Sequence, residues 1–177
     1  TSDPTNVTNG VGTVYARALR KSFGDRVVLD RIDLDVRCGE IVCLIGPSGS
    51  GEASLMHGLA GLHRPQTGAI TIGGHPAGSR AAVARVGFVH DDLPLPMNLT
   101  GSELLDLLAR SHRRWDPDLV ADLLELLGLT RAAPQLIAEY SCGMQRKLRL
   151  AASLGHRPGV WILDEPFSGL DPVAEIT

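Results

Sequence analysis

Gly46-Pro47-Ser48-Gly49-Ser50-Gly51 follows directly on an apolar run and precedes a stretch with helical periodicity. The chemistry of that arrangement is anion binding. Glycines let successive backbone N–H groups converge on one point, and the start of a helix adds its partial positive charge there. A complete phosphate loop continues with a Lys that reaches the β- and γ-phosphates and a hydroxyl that binds Mg2+. Glu52 and Ala53 hold those two places here. Ser54 offers a hydroxyl one residue later, but adjacent helical residues point about 100° apart, so its side chain is expected to aim elsewhere. Two further clusters are candidates. Asp164 and Glu165 follow the apolar Val160-Trp161-Ile162-Leu163, at the kind of strand end where ligands gather in open α/β sheets. Ser141-Cys142-Gly143-Met144 combines small residues with the opening of a helix, a second ready anion site.

The elements that must carry these clusters can be read from periodicity. Residues 13–18 and 27–36 alternate or run apolar on either side of Ser22-Phe23-Gly24-Asp25, which predicts a β-hairpin. Residues 40–45 form a short apolar run expected to be a fully buried strand. A helix is expected over 53–62, ended by His63-Arg64-Pro65, then strands over 67–74 and 85–90. Two prolines make 91–97 irregular. Helices follow over 102–114 and 117–127, the second with Leu119, Val120, Leu123, Leu124 and Leu127 on one packing face and Gly128 as its stop. A third helix runs from about 141 to 155, and a second buried strand spans 160–163. Strands alternating with helices around a helical insert at roughly 92–145 predict an α/β fold with a largely parallel sheet.

Composition narrows the function classes. The 177 residues are 44% hydrophobic and 21% charged, ordinary for a globular chain. No apolar run approaches the length of a membrane span. Seventeen Lys and Arg against 20 Asp and Glu leave a net charge of -3, which excludes a basic footprint for nucleic acid. Cys38, Cys43 and Cys142 are scattered, without disulfide or zinc spacing, which points to a reducing compartment. The histidines, His57 and His63 included, lack metal-ligand spacing. Residues 1–12 are polar and read as a flexible leader.

Taken in order and spacing over about residues 14–172, these motifs resemble the nucleotide-binding subunit of an ABC transporter. The resemblance implies a P-loop NTPase core of the ABC ATPase type, with an N-terminal antiparallel β subdomain and a helical insert. It treats 1–177 as a single nucleotide-binding domain that stops short of the family's next strand and switch histidine. ATP and Mg2+ are the implied ligands. Phe23 matches an aromatic that stacks on adenine, and Gly46, Pro47, Ser48, Gly49, Ser50, Gly51, Glu52, Ala53 and Ser54 match the phosphate loop. Asp164 matches the carboxylate that holds Mg2+, and Glu165 the general base. Ser141, Cys142, Gly143 and Met144 match the signature motif, which reaches across a dimer to the partner's γ-phosphate. Ser168, Gly169, Leu170 and Asp171 match the loop coupling the two sites of that dimer. Tyr140 and Met144 suit the version of drug- and polyketide-exporting systems.

Departures from the family pattern set the functional expectation. Cys142 replaces a glycine, and Asp91 stands where the family has a Gln that contacts metal and water. Glu52 is the most consequential. A unit-charge pair about 4 Å apart is worth roughly 4 kcal/mol at an effective dielectric of about 20, or on the order of a thousandfold in affinity, less whatever Glu52 recovers by turning into solvent. With the Mg2+ hydroxyl also lost at Ala53, binding is expected to be weakened and hydrolysis in the chain's own site is not expected. The implied partners are a transmembrane subunit and a second nucleotide-binding subunit, in a homodimer or heterodimer. The implied location is cytoplasmic, at the inner face of the plasma membrane through that membrane subunit. Two alternatives stand beside an impaired ATPase subunit: a non-hydrolysing partner that completes an active subunit's site, and a fragment without a role of its own.

Overall fold

The computed structural model describes residues 13–47, 49–90 and 93–165. The expected leader over 1–12, Ser48, Asp91 and the coupling loop Ser168, Gly169, Leu170 and Asp171 lie outside the described residues. The chain divides into two compact units, one comprising residues up to 86 with 159–162 and the other 87–158 with the residues from 163 onward.

In the first unit, β1 (Val14–Phe23) and β2 (Arg26–Val36) form the expected hairpin, turning through Gly24-Asp25 with Gly24 at φ 57°. Ser22 and Phe23 belong to the strand rather than the turn. β3 (Thr67–Ile72) pairs with the other edge of β1, and β4 (His75–Pro76) with β3, giving an antiparallel sheet of order β2-β1-β3-β4. Val14 and Ala16 face the core in alternation. A register shift after Ala16, with Ala18 at φ 47° and Arg31 at φ 52°, then brings Leu19 inward instead of Ala18. Helix α1 (Glu52–Leu59) lies against β2 and β3 and buries Leu55, Met56 and Leu59. Its end comes earlier than the prolyl stop predicted, because Gly61 at φ 79° takes up a left-handed turn and Leu62 N–H bonds back to the His57 carbonyl. A single turn, α2 (Arg80–Val83), is capped by Ser79.

Residues 40–45 are not a strand. Ile41 is 97% and Ile45 91% exposed, and only Leu44 of the apolar run is half-buried. A continuously apolar strand needs ladder partners along its edges and cover on both faces. Among the described residues no strand pairs with this segment. An open hollow of ≈ 370 Å³ lies beside it, lined by Leu29, Ile32, Leu44, Ser50 and Glu52.

β5 (Val86–Val89) and β6 (Val160–Leu163) form a separate two-stranded sheet. Val160 N–H bonds to the Arg85 carbonyl and Asp164 N–H to the Val89 carbonyl, so the strands advance together and are parallel. β6 is less buried than expected: Ile162 is inside, whereas the Trp161 ring is largely exposed.

The second unit is helical. α3 (Gly101–Ser111) opens on a full capping box between Thr100 and Glu103. α4 (Pro117–Leu126) has Asp116 as N-cap and Pro117 in its first turn. α5 (Cys142–Leu154) has Ser141 as N-cap. Leu104, Leu105, Val120, Leu129, Ile137, Tyr140 and Leu148 form the core, and of the predicted α4 face Leu124 and Leu127 pack onto it, whereas Leu119 and Leu123 are half-buried outside that cluster. The buried Tyr140 hydroxyl donates to the Ala132 carbonyl at 2.8 Å, which ties the segment before α5 to the core. Arg157 pairs with the Asp116 carboxylate. Among the described residues no helix is long and apolar enough to cross a membrane.

Tyr140→Phe removes a buried hydrogen bond and is expected to destabilise the chain by about 1 kcal/mol, read as a lower urea midpoint. Acid should act on the helix caps. Backbone donation from Thr100 and Leu119, with the Thr100 hydroxyl and Arg157 adding to it, holds the Glu103 and Asp116 carboxyls below their ordinary values. Their contribution is therefore complete above the ordinary carboxylate range and disappears as pH falls through the depressed folded values. Thermal unfolding followed from pH 7 to pH 3 should show Glu103→Gln flattening that decline.

Candidate phosphate-binding site

The first unit carries the Gly-rich loop. Ser50 N–H bonds to the Pro47 carbonyl at 3.0 Å, and the Arg26 guanidinium donates to the Gly49 carbonyl at 3.0 Å, tying the loop to the start of β2. Gly49 and Gly51 have φ of 82° and 106°, backbone that side chains rarely adopt. Gly51 is also pressed against the hairpin, where an added Cβ would lie 2.8 Å from the Val28 carbonyl oxygen. It forms the N-cap of α1, and its carbonyl accepts from Leu55 N–H at 2.9 Å to begin the helix.

Glu52, the first residue of α1, is half-buried. Its Oε1 accepts from the Ser50 hydroxyl at 2.6 Å. The Ser50 hydroxyl and Glu52 Oε1 lie so close over Gly46 that a Cβ there would collide with both. An acidic side chain in the first turn also suits the helix dipole, so local forces favour this placement. Ala53 is exposed and supplies no oxygen. Ser54 lines a different hollow, alongside Lys21, Phe23 and Arg64, in keeping with its expected divergence from the loop. The Phe23 ring is 50% exposed, and the Lys21 ammonium lies 5.2 Å from its centroid.

The carboxylates belong to the second unit. Asp164 and Glu165 follow β6 directly, and Glu165 is exposed with φ 42°, a strained backbone for a non-glycine residue. Asp164 is held from two sides: its N–H bonds to the Val89 carbonyl at 3.0 Å, and His90 Nε2 lies 3.0 Å from its Oδ2. Sequence reasoning missed His90. The available signal was its place immediately after β5, matching that of Asp164 immediately after β6.

The signature residues open α5. The Ser141 hydroxyl accepts from Met144 N–H at 3.2 Å, Cys142 is an exposed free thiol, and Met144 packs against the helical core. Ser141, as helix cap, and Met144, as a core contact, thus have structural duties, and both Ser141 and Cys142 are exposed at the helix start.

The Asp164 carboxylate is an oxygen donor of the kind Mg2+ takes. Mg2+ is held by one or two carboxylates, with phosphates and water completing its shell. Within the second unit, Asp164 is such a carboxylate. Among the described residues no group of three or more His, Cys, Asp or Glu forms a self-sufficient metal cage.

A family profile described as ABC transporter matches residues 29–168. The ABC transporter ATP-binding protein YdbJ of Bacillus subtilis (strain 168) is 35% identical over 161 residues, covering 90% of this chain and 52% of that protein. The Nod factor export ATP-binding protein I of Sinorhizobium fredii (strain NBRC 101917 / NGR234) is 38% identical over 159 residues, covering 87% and 46%. The chain spans about half the length of these curated relatives. Among solved structures, an ATP-binding subunit of an ABC transporter superposes with a TM-score of 0.84 at 28% identity, covering 90% of this chain and 69% of that one.

Gly51→Ala must carry a Cβ at a left-handed position and push it against the Val28 carbonyl. We expect a destabilisation on the order of 1–3 kcal/mol, measured by urea unfolding.

Proposed function

The chain belongs to the ABC transporter family, and from that premise we propose that it is a transporter's ATP-binding subunit whose own phosphate loop is impaired. The observation that carries this reading is the Glu52–Ser50 hydrogen bond, with its carboxylate over Gly46. A triphosphate entering that loop meets a like charge where the full pattern offers a cation. It must also break a hydrogen bond to a charged acceptor, an interaction stronger than a neutral one.

In the proposed division of labour, the backbone N–H groups of Gly46, Ser48, Gly49 and Gly51 receive the phosphates, since Pro47 has none and that of Ser50 is bonded within the loop, and Phe23 stacks against the adenine. Asp164 holds Mg2+, which when bound neutralises phosphate charge. Asp91 would add a second oxygen near the metal. Glu165 accepts the proton of the attacking water. Ser168, Gly169, Leu170 and Asp171 couple two such domains in a dimer, and a transmembrane subunit holds the pair at the inner face of the membrane. Under this reading Glu165 retains its chemistry, but nucleotide occupancy limits it.

A second reading is favoured by the exposed start of α5, where Ser141 and Gly143 are retained although Glu52 alters the loop. Paired with an intact subunit, this chain would lend Ser141 and Gly143 to the partner's nucleotide, so that one composite site turns over and the other does not. Ser141→Ala would then lower the turnover of the complex.

Titration with a fluorescent ATP analogue tests the main reading. Glu52→Lys combined with Ala53→Ser should raise affinity substantially, up to about a thousandfold if the full charge difference is realised. Submicromolar, Mg2+-dependent binding by the unaltered chain would sink the proposal.

A further inference from the structure

We propose that His90 is a positioning residue for Asp164, orienting its carboxylate from the protein's interior so that the other oxygen is presented to a divalent cation. The inference rests on the reading above that Asp164 holds Mg2+. Its basis is a juxtaposition made by backbone pairing. His90 is the first residue beyond β5 and Asp164 the first beyond β6, and the parallel pairing brings these two strand ends side by side. The bond from Asp164 N–H to the Val89 carbonyl holds the Asp164 backbone next to the residue that precedes His90.

The side chains then meet at 3.0 Å, His90 Nε2 to Asp164 Oδ2. An ionised carboxylate only accepts hydrogen bonds, so the proposal requires Nε2 to carry the hydrogen at this contact. The two groups differ in exposure: the His90 side chain is 7% exposed and that of Asp164 is 25%. The imidazole therefore approaches from the buried side, while the carboxylate keeps access to solvent. The Phe88 ring of β5 lies 5.8 Å from the imidazole between centroids and packs against it. A carboxylate held this way loses torsional freedom before a cation arrives. Partners that orient metal ligands typically account for 10–100-fold in metal affinity.

A buried histidine could instead use Asp164 only to satisfy its own ring nitrogen. The two roles separate experimentally. Glutamine can present its amide N–H close to where His90 Nε2 lies, so His90→Gln should rescue positioning and His90→Ala should not. Long-range ¹H–¹⁵N spectra of the unaltered chain should show His90 with hydrogen on Nε2, and Asp164→Ala should abolish that preference. In the Glu52→Lys, Ala53→Ser background, Mn2+ binding in the presence of ATP can be followed by electron paramagnetic resonance. We expect His90→Ala to weaken Mn2+ about tenfold, His90→Gln to stay within about twofold, and His90→Ala to add nothing once Asp164 is alanine. Hydrogen on Nδ1 alone, unchanged Mn2+ binding in His90→Ala, or equal losses in His90→Ala and His90→Gln would overturn the proposal. Should the doubly substituted background fail to take up ATP, the reading of Glu52 falls. The imidazole spectrum, which needs no nucleotide, still decides the His90 contact.

Discussion

Gly51 is the constraint on which the first unit turns. Its φ of 106° and its approach to the Val28 carbonyl leave no room for a side chain, and α1 begins at the next residue. One backbone position therefore fastens the Gly-rich loop to the hairpin, aims the helix start and seats Leu55, Met56 and Leu59 on the sheet. Glycine costs chain entropy, but no other residue combines that conformation with that proximity. The consequence for chemistry is that position 52 is held at the mouth of the loop whatever residue occupies it. An acid there bends back to the Ser50 hydroxyl, because the nearest strong donor is two residues away.

The second unit achieves local order differently, through side chains that close the ends of its helices. Thr100 with Glu103, Asp116 with Leu119 N–H and Ser141 with Met144 N–H each satisfy donors that a helix leaves unpaired. The caps leave the leucine and valine faces to do the packing, with Tyr140 bonded across the core. Gly155 shows how close that packing is: a Cβ there would lie 2.6 Å from the Trp115 ring. Ser141 serves both as a helix cap and as a signature residue, so its structural duty is present in any functional reading.

Much of this was legible in the chain itself. The hairpin and the packing face of α4 are local patterns whose causes lie within a few residues. The altered loop was equally plain, since Glu52 and Ala53 can be read directly against the spacing of glycines. Residues 40–45 read as a buried strand because their composition is that of one, yet a strand is defined by partners that composition does not name. Trp161 differs for the same reason, since period and hydrophobicity do not reveal which faces of β6 are covered. The end of α1 moved by three residues because Gly61, rather than Pro65, reverses the backbone.

By itself the sequence determined the chemical inventory: a glycine loop ending in an acid, two carboxylates after an apolar strand, and a helix start with a serine and a cysteine. It determined the family as well, since those motifs are ordered along the chain. Only the tertiary structure decided where the Glu52 carboxylate goes, that residues 41–45 stay unpaired among the described residues, and that His90 meets Asp164. Those outcomes depend on side-chain directions and on pairing between segments far apart in sequence, 74 residues in the last case. Spacing along a chain carries local periodicity, whereas the His90–Asp164 contact arises only when separate strands share hydrogen bonds.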